Sequence, residues 1–185
     1  MSRPSQRKTR VAPTPSVVCV EFRGRHESLA QLMSQVENET VSRQVEGYDL
    51  LIATEVSRRG GQVIRSIEPG YLLAFNQQSA ALKCAEQIRT KFKKQFNSDF
   101  ALRIAIDRGD VWRLIRAHGT EYCGPTVTSC RELLKETQDG EIATTESFAR
   151  SLAREDRELG ARMRQQIERT FKFDGISQPI WALSC

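Results

Sequence analysis

Val17 to Phe22, VVCVEF, is a nearly unbroken apolar run of strand length, the pattern of a strand buried on both faces. Glu27 to Val36 reads as a short helix. Thr40 to Arg59 reads as a longer one, with Val41, Val45, Tyr48, Leu51, Ile52 and Val56 along one face. Gly60-Gly61 closes that helix. Gln62 to Ser66 then alternates as a strand does, and Tyr71 to Phe75 is apolar and β-prone. Glu68-Pro69-Gly70 between them reads as a turn, with Pro fixing φ and Gly supplying positive φ. Asn76 to Phe96 carries a helical stripe at Ala81, Ala85, Ile88 and Phe92. Lys91, Lys93 and Lys94 crowd its C-terminal end, where the helix dipole favours cations.

The second half continues the alternation. Phe100 to Asp107 is a strand, Arg108-Gly109-Asp110 a turn, and Val111 to Arg116 an antiparallel return. Pro125 to Glu136 reads as a helix, Glu141 to Thr144 as a short strand, and Thr145 to Ala153 as a helix. Ala153 to Arg169, dense in Arg and Glu, reads as an exposed helix with i,i+4 ion pairs. FKFDGISQPIWAL at the end reads as two short strands around a turn. The predicted order, β-α-α-β-β-α-β-β-α-β-α-β-β, is of α+β type: an antiparallel-rich sheet with helices packed on one face.

Composition narrows the picture. With 185 residues, 39% hydrophobic and 28% charged, one domain with a buried core is expected at 16–185, preceded by a disordered basic tail at 1–15. The net charge is +5, and Arg3, Arg7, Lys8 and Arg10 account for four of those charges. The remainder is near +1. Nucleic-acid binding would rest on that tail and on the lysines of the third helix, and an aromatic content of 7% argues against it. No apolar run reaches the ~20 residues of a membrane helix. Five cysteines, an odd count without CxxC spacing, argue against a zinc site or a disulfide framework and fit a reducing cytoplasm. Cys19 and Cys84 read as small core residues, and His26 and His118 are isolated.

Six segments carry a resemblance. GGQVIRSIEPGYLLAF resembles the metal-binding hairpin of the class III adenylate and guanylate cyclase catalytic domain, where a pattern such as VKxxGDGFLLAF is found. VVCVEFRG resembles that family's first strand. LRIAIDRGDV resembles its strand-turn-strand LRIGIHTGEV, and EYCGPTV resembles DxxGxxVN. DGEIATTESF resembles PGEILVSEATF, and FDGISQPIWAL resembles LKGISEPVxVYxL. The resemblance runs from about Val17 to Leu183. It implies a ferredoxin-like, palm-type sheet, two cations (Mg or Mn) activating a ribose 3′-oxygen against the α-phosphate, and an active site shared by two subunits.

Residue by residue, the family's first metal-binding Asp falls on Glu21 and the second on Pro69, which has no side-chain oxygen. The purine-selecting Lys falls on Arg65 and its Asp partner on Glu121, a pair that keeps both charges. The transition-state Asn falls on Thr128, and the triphosphate-binding Arg falls on Glu132, a charge reversal. Gly24-Arg25-His26 stands where the family often has GFT. Gly24 would let phosphate approach the backbone, with Arg23 and Arg25 supplying charge. The resemblance therefore implies a catalytically degenerate cyclase homology domain with no cofactor, acting as a regulatory, dimerisation or ligand-binding module. Its expected partner is a second copy or another cyclase-type domain, and a purine nucleotide is its candidate ligand. The alternative is a divergent cyclase making a cyclic purine nucleotide from ATP or GTP with Mg or Mn. That enzyme would use Glu21 and Glu68 as ligands, while Asp107 and Asp110 shape their turn.

Overall fold

The computed structural model describes residues 7–10, 14–24, 39–67, 70–96, 100–116 and 119–183. Its centre is β2 (Ser16–Gly24), whose Val17, Val18, Cys19, Val20 and Phe22 are all buried. That burial on both faces follows from the apolar run. Around β2 a seven-stranded sheet is ordered β3-β4-β2-β5-β8-β10-β9. The strands are β3 (Gln62–Ile67), β4 (Gly70–Phe75), β5 (Phe100–Arg108), β8 (Ile142–Thr144), β9 (Met163–Phe173) and β10 (Ile176–Leu183). Every pairing in it is antiparallel except β5 with β8.

Helices α1 (Glu39–Arg58), α2 (Gln78–Gln95) and α4 (Glu146–Glu155) contribute to one core with the sheet. Tyr48, Leu51, Ile52 and Val56 of α1 and Ala81, Ala85, Ile88 and Phe92 of α2 pack there against Val18, Val20, Phe22 and Phe75. This is the stripe read from the sequence. Helix α3 (Pro125–Glu136) lies on the opposite face, where Val127, Cys130 and Leu133 meet Val17, Cys19 and Ala105. Helix-bearing layers thus cover both sides of β2, which is why its residues alternate between two cores without a polar face. Cys19 and Cys84 are both core residues.

Three elements depart from the sequence reading. Ala153–Arg169 is not one helix: after the one-turn α5 (Arg157–Ala161) the chain enters β9 at Met163. Only Met163 and Phe171 of this strand are buried, so its charged, edge-like composition has no helical stripe to betray the error. What fixes it as a strand is pairing with β10 through a hairpin whose Asp174 and Gly175 both take positive φ, 51° and 77°. Second, Gly119–Cys123 is a strand, β7, paired with β6 (Trp112–Arg116). Third, Arg7–Arg10 of the expected disordered tail forms β1, antiparallel to β6, with Arg10 ion-paired to Asp110. Backbone pairing with β6 is what draws this basic segment onto the domain. The helix expected at 27–36 lies outside the described residues.

Gly70 also has a different role from the one its turn suggested. It is not among the glycines with positive φ. A Cβ there would sit 2.0 Å from the Val20 carbonyl oxygen, so glycine is needed to let β4 lie against β2.

Candidate functional site

The β2, β4 and β5 ladders place one charged residue at the centre of the expected site. Glu21 is the Cα partner of Gly70 on one side and of Arg103 on the other. The hairpin tip carrying Glu68 and Pro69 immediately precedes Gly70 in sequence, and residues 68 and 69 lie outside the described residues. Register therefore sets Glu21 beside Gly70, the residue that follows Pro69 in sequence.

Arg103 occupies the Glu21 carboxylate. Its Nε donates to Oε2 at 2.6 Å and its Nη2 donates to the same oxygen. Its Nη1 reaches the Lys135 carbonyl at 3.3 Å, tying the pair to the end of α3. Both side chains are largely buried, Arg103 at 15% and Glu21 at 21% exposure. In such surroundings a guanidinium beside a carboxylate satisfies the charge that burial would otherwise penalise. Nothing in the sequence flagged Arg103, because an arginine in LRIAI is an ordinary outward position. Only the β2–β5 register reveals its partner.

The other positions distribute as follows. Gly24 ends β2 opposite Phe100. Arg23, just before it, donates to Asp139 at 2.6 Å. Arg25 and His26 of the expected phosphate loop lie outside the described residues, and so does His118. Thr128 is exposed near the start of α3 and donates to the Gly124 carbonyl at 3.2 Å. Glu132, one turn on, accepts from Lys135 at 2.7 and 2.8 Å. This i,i+3 pair was readable from the predicted helix. Arg65 sits in β3 opposite Leu72, beside a register shift after Val63. Glu121 is exposed on β7 opposite Leu114. Strands β3 and β7 lie against one another.

Beneath Glu21 the helix-side core is aromatic. Phe22 stacks on Tyr48 at 4.7 Å and on Phe100 at 4.8 Å, and meets Phe92 edge-on at 5.6 Å. Burial raises the Tyr48 phenol well above its ordinary range, helped by the nearby Tyr71, Asp49 and Glu21. At the far end of β5, Asp107 accepts from the Thr145 hydroxyl at 2.6 Å and the Arg108 N–H at 2.7 Å. Burial pushes its carboxyl up from 3.8, and those hydrogen bonds, with one from Ser129, oppose the rise. Asp107 thus belongs to the turn and its packing, as its sequence position suggested. Among the described residues, no three His, Cys, Asp or Glu side chains converge on a point where a cation could sit.

Three solved structures show the same architecture across nearly the whole chain. The adenylyl cyclase CyaB from P. aeruginosa is 14% identical, with a TM-score of 0.75 over 97% of this chain and 96% of that one. The chain has the class III nucleotide cyclase fold. An adenylate/guanylate cyclase/hydrolase from Silicibacter pomeroyi is 20% identical, with a TM-score of 0.73 over 97% and 99%. The guanylate cyclase domain of RhGC from Catenaria anguillulae, solved in complex with GTP, is 15% identical, with a TM-score of 0.74 over 92% and 96%. No family model matches the sequence, and no curated protein matches it. The likeness is therefore one of cyclase fold. Among the described residues of this cyclase-fold chain, no helix is long and apolar enough to cross a membrane.

Proposed function

We propose that this chain is a cyclase-homology domain that works by association and ligand binding rather than by cyclising a nucleotide. The observation that carries the reading is the Arg103–Glu21 pair. A cation at Glu21 would have to displace a guanidinium that makes two hydrogen bonds to the same oxygen in a mostly buried setting. The neighbouring position matched to the second ligand is Pro69, which offers no oxygen. The donor set therefore does not fit a two-cation centre. Glu132 stands where a triphosphate would need a positive charge. Losing one preorganised charge-stabilising group typically costs ~3 kcal/mol of transition-state stabilisation, or ~10²–10³ in rate. Here a ligand and a phosphate-binding charge are both replaced.

The proposed association follows from the cyclase fold. Class III sites form between two cyclase domains, so the proposed partner is another copy or another cyclase-type domain. A purine nucleotide is the candidate ligand, through Arg65 and Glu121. Sedimentation of the purified chain, with calorimetric titration of ATP and GTP with and without Mn²⁺, tests this. Concentration-dependent association, with any nucleotide affinity insensitive to Mn²⁺, supports the proposal. A monomer whose nucleotide affinity rises about tenfold or more with Mn²⁺ opposes it.

A further inference from the structure

We infer a second ligand site, for a small phosphate-bearing anion, at the end of the sheet remote from Glu21. An open cleft of about 410 Å³ lies between the end of β5, the chain just before β2 and the outer side of α4. Arg108, Arg150 and Arg154 line it, together with Ser147, Ser151 and Thr14. The site is distinct from the one described above. Arg108 pairs with Ser16 and Arg103 with Glu21 on the same ladder, which separates the two places by roughly 17 Å along β5.

The cleft is organised for an acceptor-rich guest. Arg108 Nη1 donates to Ser151 Oγ at 2.9 Å, and Gln78 Nε2 donates to the same oxygen at 2.5 Å. With both lone pairs of Ser151 in use, its own O–H remains to be given. The carboxylates nearby already accept hydrogen bonds, and they offset part of the positive charge of Arg150 and Arg108. Glu155 spends its two oxygens on the N–H groups of Gln78 and Ser79 at 3.1 and 2.9 Å. Glu146 takes Nε and Nη2 of Arg150 at 3.0 and 2.6 Å through a single oxygen, Oε1. Arg154, one turn along from Arg150, is exposed and makes no ion pair among the described residues. Three guanidinium groups with serine hydroxyls between them match a tetrahedral, multiply charged oxyanion better than a planar monocarboxylate.

Calorimetric titration of the whole chain with inorganic pyrophosphate and inorganic phosphate, at low ionic strength in chloride buffer, tests the site. Saturable one-to-one binding is expected. The exposed pair Arg150→Ala/Arg154→Ala should weaken it by about tenfold or more, since charged hydrogen bonds are lost. Lys93→Ala/Lys172→Ala removes the same charge from exposed positions on α2 and β9 and should leave it within about twofold. Absence of saturable binding overturns the inference, as does equal weakening by both double variants, which would indicate diffuse attraction only.

Discussion

Glu21 and Arg103 face each other as Cα partners on adjacent antiparallel strands, and Arg103 gives two N–H groups to a single Glu21 oxygen. The pair converts the position matched to a metal ligand into part of the sheet's internal electrostatics. Removing one partner should therefore cost stability. Arg103→Leu is expected to destabilise by about 2–3 kcal/mol, less than the 3–5 of a fully buried pair, because both side chains keep some exposure. Glu21→Leu/Arg103→Leu should recover much of that loss. A double-mutant cycle by urea unfolding checks it, and a coupling energy near zero would show that the pair is incidental.

Gly70 should tolerate no side chain. An added Cβ would lie 2.0 Å from the Val20 carbonyl and 3.1 Å from the Glu21 Cα, both backbone atoms that cannot swing away. Gly70→Ala is expected to cost about 1–3 kcal/mol through overpacking between β2 and β4. Gly175→Ala, with open space around it but φ of 77°, should cost less, about 1 kcal/mol. Equal unfolding midpoints for the two variants would contradict the close-approach explanation.

The aromatic cluster under Glu21 supplies much of the rigidity of that end of the sheet. Phe22 is buried and contacts Tyr48, Phe92, Phe96 and Phe100. Phe22→Ala should cost about 3–5 kcal/mol, and Phe22→Leu about half as much. Chemical denaturation measures both. A loss below about 1 kcal/mol for the alanine variant would mean the cluster is loosely packed.

Two carboxylates should give pH dependences of opposite sign. At Glu155 burial acts upward, but hydrogen bonds from Ser79 and Gln78 and the charge of Arg108 outweigh it, so its pKa lies below 4.5 in the folded chain. Its stabilisation is present above the unfolded value and is lost as pH falls through the lowered folded value. Asp107 is raised by burial above 3.8. Its contribution is complete below that pH and declines as pH rises through the folded value. Glu155→Gln should flatten the acid limb and cost about 1 kcal/mol at neutral pH as a lost helix cap. Asp107→Asn should remove the decline above pH 3.8. Unfolding midpoints against pH that keep the wild-type shape in both variants would refute these assignments.

Much of the fold was legible because its core elements obey simple periods. β2 shows as an apolar run, α1 and α2 as helical stripes, and Pro125–Glu136 begins with proline at the first helical turn. The misread parts are those where local pattern is silent. β9 exposes most of its length, and Ile167 is 93% exposed, so its state is decided by β10 alone. β1 and β7 are four and five residues long and exist through pairing with β6. At the site, the family resemblance singled out Glu21 and Pro69. The sequence could not show that Arg103 holds Glu21, because that depends on strand register. Nor could it show that Arg108 of β5 shares one cleft with Arg150 and Arg154 of α4, since that depends on how strand and helix pack.

Conversion of ATP and GTP by the purified chain with Mg²⁺ or Mn²⁺, read as cyclic product, tests the central claim most directly. The account predicts no cyclic product above background, in wild type and in Glu21→Ala alike. Cyclic product from the wild type that disappears in Glu21→Ala would contradict it, and would make Glu21 a working metal ligand that Arg103 releases.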